Sequence, residues 1–196
     1  LTDIIEWDVV NWSGALSFWL ENTNLDLPNT KALEIGSRRG GLSIFLADYC
    51  NKVICSDLEN PKETASKLHA EYDLQNVEYT GLNALNFNGV RSKLIVSKSV
   101  LGSFEGDTQD TVIENIYNAL EEGGEYWFVE NLSATILHQA ARKLFVKWGS
   151  RWNYIPYSEL NKKFAKFTKL QIKTAGLLGA FGMTSGQRNF LGKIDQ

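Results

Sequence analysis

The stretch Lys31–Cys50, KALEIGSRRGGLSIFLADYC, constrains this chain more than any other. A short apolar run ends at Gly36, a glycine-bearing turn follows, and Gly40–Cys50 then repeats apolar residues at helical spacing. A strand that turns through glycine into a helix is the opening of a βαβ unit, and the pattern continues in kind. Lys52–Asp57 (KVICSD) reads as a second strand closing on an acid. Asn60-Pro61-Lys62-Glu63 reads as a helix start, with Asn60 as N-cap, Pro61 at the first helical position and Glu63 completing a capping box. That helix is expected to run to about Leu74. Asn76–Thr80 and Lys93–Ser97 follow as strands. Asp107–Glu122 is expected to be a helix stopped by Gly123-Gly124, Glu125–Glu130 a fifth strand, and Ser133–Trp148 a further helix.

Strand alternating with helix implies a parallel sheet with helices on both faces. The end of the chain reads differently. After a short helix at Ser158–Lys166, the runs Thr168–Ala175 and Gln187–Ile194 are joined by the Gly-rich Gly176–Gly186. With no helix between them they are expected to pair antiparallel. The predicted architecture is therefore an α/β fold: a mostly parallel, doubly wound seven-stranded sheet ending in an antiparallel hairpin. It is read as one domain over 1–196, with a helical segment at 1–30, a nucleotide-binding half at 31–130 and a substrate side at 131–196.

Chemistry is expected at the carboxyl ends of the strands, where open α/β sheets bind ligands. The turn Gly36–Gly40 lets backbone approach a ligand there, and Asp57 is placed to accept from ribose hydroxyls. Both features suit a dinucleotide or S-adenosylmethionine (SAM). Three details favour SAM. The dinucleotide fingerprint needs glycine where Arg38 stands; Glu34 lies inside the strand, where a dinucleotide fold has an apolar residue; and a terminal antiparallel pair is not the ending of a plain dinucleotide fold.

In this order and spacing, the chain resembles the class I SAM-dependent methyltransferases. Leu33–Leu46 is similar to their first motif, E-x-G-x-x-x-G, and Val53–Leu58 to their second, which ends in the ribose-binding acid. Gly81-Leu82-Asn83-Ala84 stands where the family often has G-D-A against adenine, with Asn83 replacing the usual Asp. Leu94–Leu101 resembles the fourth motif, although Lys93 replaces an acid found there in many members, and Leu120–Gly124 resembles the family's L-x-x-G-G. The resemblance implies SAM as cofactor, held by Glu34, Gly36, Ser37, Arg38, Gly40, Asp57, Leu58, Asn83, Ala84, Ser97 and Lys98. Glu34 would support the turn, and Arg38 is within reach of the methionine carboxylate or points to solvent. A catalytically silent SAM-fold subunit bound to a partner is a further reading, against which the intact motifs stand.

Glu130 and His138 are the candidates for a general base, needed only if the acceptor atom holds its proton. Trp12, Ser99 and Asn131 are candidates for touching the acceptor. Between Arg142 and Lys173 nine basic residues face one acid, leaving the remainder of the chain at net −11. That run is either a solvated face or the approach for an anionic acceptor. The pI near 5.5 and the absence of an N/D-P-P-Y/F-like tetrapeptide at Ser97–Val100 disfavour nucleic acid. They leave O-methylation of a small molecule or glycan, such as a sugar nucleotide or surface-polysaccharide precursor, as the expected reaction. Cys50 and Cys55 are read as buried free thiols, no metal-ligand spacing is present, and neither a signal peptide nor a membrane span is visible, so a cytoplasmic location is expected.

Overall fold

The computed structural model describes residues 1–7, 9–133, 152–175 and 184–194. The chain opens with three helical pieces, α1 (Thr2–Ile5), α2 (Val9–Trp12) and α3 (Gly14–Asn22). The βα alternation follows as β1 (Lys31–Ile35), α4 (Gly41–Tyr49), β2 (Lys52–Asp57), α5 (Lys62–Glu71), β3 (Val77–Gly81), β4 (Ser92–Lys98), α6 (Gly106–Ala119) and β5 (Leu120–Val129). The five strands form one sheet in the order β3-β2-β1-β4-β5, every neighbouring pair parallel. The order reverses between β1 and β4, which places a crevice at the carboxyl ends of those two strands.

Side-chain alternation along the strands decides the two layers. Ala32, Leu94, Val96 and Trp127 face a core built with Ile5, Trp12, Leu16, Trp19, Leu42, Phe45 and Leu46 of α1–α4. Leu33, Ile35 and Ile95 face the other way, against Val112, Ile113 and Ile116 of α6 and against Ile155, Leu160 and Phe164. Both faces are thus covered by helices, as near-continuous apolar strands demand.

Local chemistry sets the boundaries. Helix α5 starts one residue later than expected: Pro61, not Asn60, holds the cap position, no side chain caps the helix, and Asn60 Oδ1 accepts from the Lys62 amide at 3.0 Å in the turn before it. The Gly123-Gly124 pair has a different role from the one expected of it. Helix α6 ends earlier, at Ala119, and the glycines lie in β5 where its register against β4 shifts between Ser92 and Leu94. A Cβ on Gly124 would stand 2.7 Å from the Lys93 carbonyl oxygen, so only glycine permits that bulge.

The C-terminal hairpin is not what forms. Gln187–Ile194 lies in a helix, α8 (Ser185–Ile194), and Thr168–Ala175 has no strand pairing. The sequence carries the reason: Thr184 Oγ1 accepts from the Gln187 amide and Gln187 Oε1 accepts from the Thr184 amide, both at 3.2 Å, a reciprocal capping box. Phe190, Leu191 and Ile194 then fall at helical spacing. Gly192 brings α8 against α2, its missing Cβ position only 2.8 Å from Asn11 Oδ1. A two-stranded parallel sheet, β6 (Leu132–Ser133) with β7 (Ile155–Pro156), and the short α7 (Leu160–Lys163) complete the described elements. The expected helix at Ser133–Trp148 lies, beyond Ser133, outside the described residues. Both cysteines are buried and free; burial pushes the Cys50 thiol up to about 11 and, with Glu34 adding, Cys55 up to about 12. Among the described residues no helix is long and apolar enough to cross a membrane.

Candidate functional site

The glycine-bearing turn after β1 is built from three left-handed positions, Gly36 (φ 67°), Arg38 (φ 51°) and Gly40 (φ 76°). The Ser37 amide donates to the Ser56 carbonyl at 2.9 Å and the Gly40 amide to the Ser37 carbonyl at 2.7 Å, so the turn is hung from β2. Gly40 is doubly constrained. Beyond its φ, a Cβ there would lie 2.4 Å from His69 Nε2. Gly41 answers to a third neighbour, since its Cβ would lie 2.4 Å from the carbonyl oxygen of Asp3 in α1. Arg38 occupies a left-handed conformation that costs an L-residue roughly 1–2 kcal/mol.

Two buried groups fix the turn from behind. Glu34 accepts from Ser43 Oγ at 2.5 Å, which ties β1 to the first turn of α4. Burial raises its carboxyl to about 7, against the opposing pull of the Ser43 bonds and of Lys98. His69, 2% exposed on α5, contacts the Gly40 carbonyl through Nε2 and the Tyr79 hydroxyl through Nδ1, each at 2.8 Å. A carbonyl only accepts, so Nε2 carries the proton and Nδ1 accepts from Tyr79. Burial lowers the His69 pKa, outweighing the Gly40 bond, and favours this neutral form. Sequence reasoning passed over His69, because nothing in its spacing ties it to a turn 29 residues away.

In front of the turn, along the carboxyl edge of the sheet, runs an open cleft of about 1880 Å³. Its lining runs on down β5 from Val129 to Gly123 and past Lys169 and Lys173. Of the residues expected to bind cofactor, Gly36, Arg38, Asp57, Leu58, Asn83, Ala84 and Lys98 line it; Glu34, Ser37, Gly40 and Ser97 do not. Glu34 stands behind the turn, and Ser37 and Gly40 are part of the turn itself but lie off the cleft. Ser97 is fully buried, its hydroxyl 2.7 Å from that of Tyr126.

Asp57 joins turn to strand. Its Oδ2 accepts from the Arg38 amide at 2.8 Å and its Oδ1 from the Leu58 amide at 2.7 Å, so both oxygens are oriented by backbone donors and keep further acceptor capacity. Asn83 Oδ1 accepts from the Leu85 amide at 2.9 Å, while Asn115 of α6 holds the Ala84 carbonyl at 3.2 Å. The amide oxygen expected to face adenine is thereby engaged within its own turn. Lys98, the last residue of β4, donates to the Ile5 carbonyl and stands 3.7 Å from the Glu6 carboxylate.

Trp12, Ser99, Glu130 and Asn131 also line the cleft, with Trp152 and Tyr154 adding aromatic wall. Glu130 Oε1 accepts from the amides of Val100 (2.6 Å) and Leu101 (2.7 Å), whereas Oε2 accepts, among the described residues, from the Gly102 amide at 3.3 Å. Burial raises its carboxyl to about 7 despite these donors. His138 lies outside the described residues, as do Arg142, Lys143, Lys147 and Arg151 of the basic run. Within that run Lys163 pairs with Asp110 at 2.6 Å and Lys166 with Glu114 at 2.5 Å, so these two fasten the segment to α6.

No family model and no curated protein matches the sequence. Solved structures do match the fold. An O-methyltransferase family protein from Burkholderia thailandensis superposes with a TM-score of 0.64 at 14% identity, over 81% of this chain and 51% of the other. The N-methyltransferase NodS from Bradyrhizobium japonicum, solved with S-adenosyl-L-homocysteine (SAH), gives 0.62 at 20% identity over 86% and 79%. YcgJ of Bacillus subtilis gives 0.66 at 15% over 79% and 67%. The chain spans about half the length of the Burkholderia protein. It has the class I fold of SAM-dependent methyltransferases.

Proposed function

We propose that this chain binds SAM across the carboxyl ends of β1, β2 and β4 and catalyses transfer of its methyl group to a hydroxyl of a small molecule or glycan. The observation that carries the reading is the pairing of the Gly36–Gly40 turn with Asp57. A Cβ at Gly36 would stand 2.5 Å from Val100 Cγ2, so only glycine fits the turn where it lines the cleft, and the Asp57 carboxylate is already aimed by two amides. Its free lone pairs suit two ribose hydroxyls, which donate. Ala84 and Leu58, both lining the cleft, flank the place of the adenine. SAH in the NodS structure supports the cofactor class.

Bound there, SAM supplies a methyl group on a sulfonium, so the acceptor oxygen bonds to carbon while the C–S electron pair stays on sulfur. The protein's part is alignment, and removal of one proton. Ser99 and Asn131 line the acceptor side, and Trp152 and Tyr154 offer flat faces of the kind sugar rings pack against, while Trp12, though it borders the cleft, is buried in the core. Glu130 Oε2, the more weakly held oxygen, is suited to take the hydroxyl proton, and its carboxyl near 7 matches that task. Within the described part of the basic run Lys163 and Lys166 are engaged to α6, whereas Lys169 and Lys173 line the cleft, so an acceptor that carries a phosphate, such as a sugar nucleotide, suits it as well as a neutral sugar. The test is transfer of labelled methyl from SAM to a panel of oligosaccharides and sugar nucleotides, with transfer RNA and duplex DNA as controls. Label in the saccharides, lost in Glu130→Gln, is expected. Label only in nucleic acid contradicts the acceptor class.

A further inference from the structure

Trp7 lines the cleft, and the residue before it, Glu6, is held in an unusual conformation. Glu6 sits at the centre of a tight three-residue turn (φ 65°, ψ −53°) in which the Trp7 amide donates to the Ile5 carbonyl at 2.8 Å. This is a strained conformation for any L-residue. Two cations that line the cleft hold it. The Lys98 ammonium donates to the same Ile5 carbonyl and stands 3.5 Å above the Trp7 ring, and the Arg38 guanidinium lies 4.7 Å from that ring. Both approach Glu6 Oε2, at 3.7 Å and 4.0 Å. The other oxygen, Oε1, is buried and finds no hydrogen-bond partner among the described residues. Behind Lys98 the next acid is Glu34, whose own carboxyl is held by Ser43.

Lys98 closes β4 beside β1, at the crevice where the strand order reverses, and positive charge there opposes a cationic ligand. At neutral pH the ammonium, carboxylate and sulfonium of SAM sum to one positive charge, whereas SAH, without the sulfonium charge, is neutral. We infer that Glu6 is a specificity residue, offsetting Arg38 and Lys98 so that the cleft holds the charged cofactor in preference to its neutral product. This rests on the reading of the cleft as a SAM site. Removing the Glu6 charge leaves two cations facing the sulfonium and penalises SAM over SAH; removing the Lys98 charge does the opposite.

Calorimetric titration of SAM and of SAH into wild type, Glu6→Gln and Lys98→Met tests this directly. Glu6→Gln is expected to raise the ratio of the SAM to the SAH dissociation constant about tenfold, the order of effect of one partly screened charge at a few ångströms. Lys98→Met is expected to lower the same ratio, and it keeps the test decisive should the Gln variant not fold. A ratio unmoved in the folded variants, or moved in the same direction by both, overturns the inference alone. A wild type that binds neither nucleoside overturns the SAM reading, and the inference with it.

Discussion

Several residues in this chain are chosen by neighbours far away in sequence. Gly40 is the sharpest case: its left-handed backbone and the His69 imidazole behind it both exclude a methyl group. Gly40→Ala is therefore expected to cost about 2 kcal/mol or more, a fall in Tm of roughly 5 °C or more, read by thermal denaturation. His69→Ala leaves the Gly40 carbonyl and the Tyr79 hydroxyl without their partner and opens a cavity. A loss of about 2–4 kcal/mol in a urea titration is expected. Glu34 and Glu130 set a pH dependence. Both are raised from an ordinary 4.5 to about 7, so as pH rises from about 4.5 the unfolded chain loses these protons first. Stability is fullest below 4.5, falls toward pH 7 and levels above it, so far as these two groups contribute. Glu34→Gln removes its share, and urea midpoints at pH 5 and pH 7.5 are expected to lie closer together than in wild type. The Glu34, Gly36 and Asp57 positions were legible in sequence because the motif spacing is local. His69 and Glu6 were not, because their contacts to Gly40, Lys98 and Arg38 come from the tertiary fold.

Among the elements, the parallel strands were readable because each is a short apolar run closed by glycine, acid or helix start, and the expected strand boundaries fall within about two residues of those observed except at β5. That exception arose because Gly123-Gly124 looks like a helix stop in isolation, whereas the pair is needed for close passage against Lys93. The C-terminal element failed for a related reason. Gln187–Ile194 is too short for apolar spacing alone to separate strand from helix. The deciding signal, Thr184 with Gln187 three residues on, is a cap rather than a period. Thr184→Val is accordingly expected to destabilise α8 by about 1 kcal/mol, seen as faster amide exchange across 185–194 with little change in the sheet.

For the whole molecule, the strand order 3-2-1-4-5 with helices on both faces fixes where a ligand binds before any side chain is considered. The fold alone does not select an acceptor, since the similar structures include both an O-methyltransferase family protein and an N-methyltransferase. Selection falls to what lines the cleft, where Trp152, Tyr154 and Glu130 stand together with Lys169 and Lys173. The proposed function stands or falls with the turn and Asp57 as a SAM site. The measurement that tests it most directly is calorimetric titration of SAH, with NAD as control, into wild type and Asp57→Ala. Micromolar SAH binding to the wild type, at least tenfold weaker binding to the variant, and no binding of NAD are expected. Binding of NAD, or SAH affinity indifferent to Asp57, would contradict the proposed function.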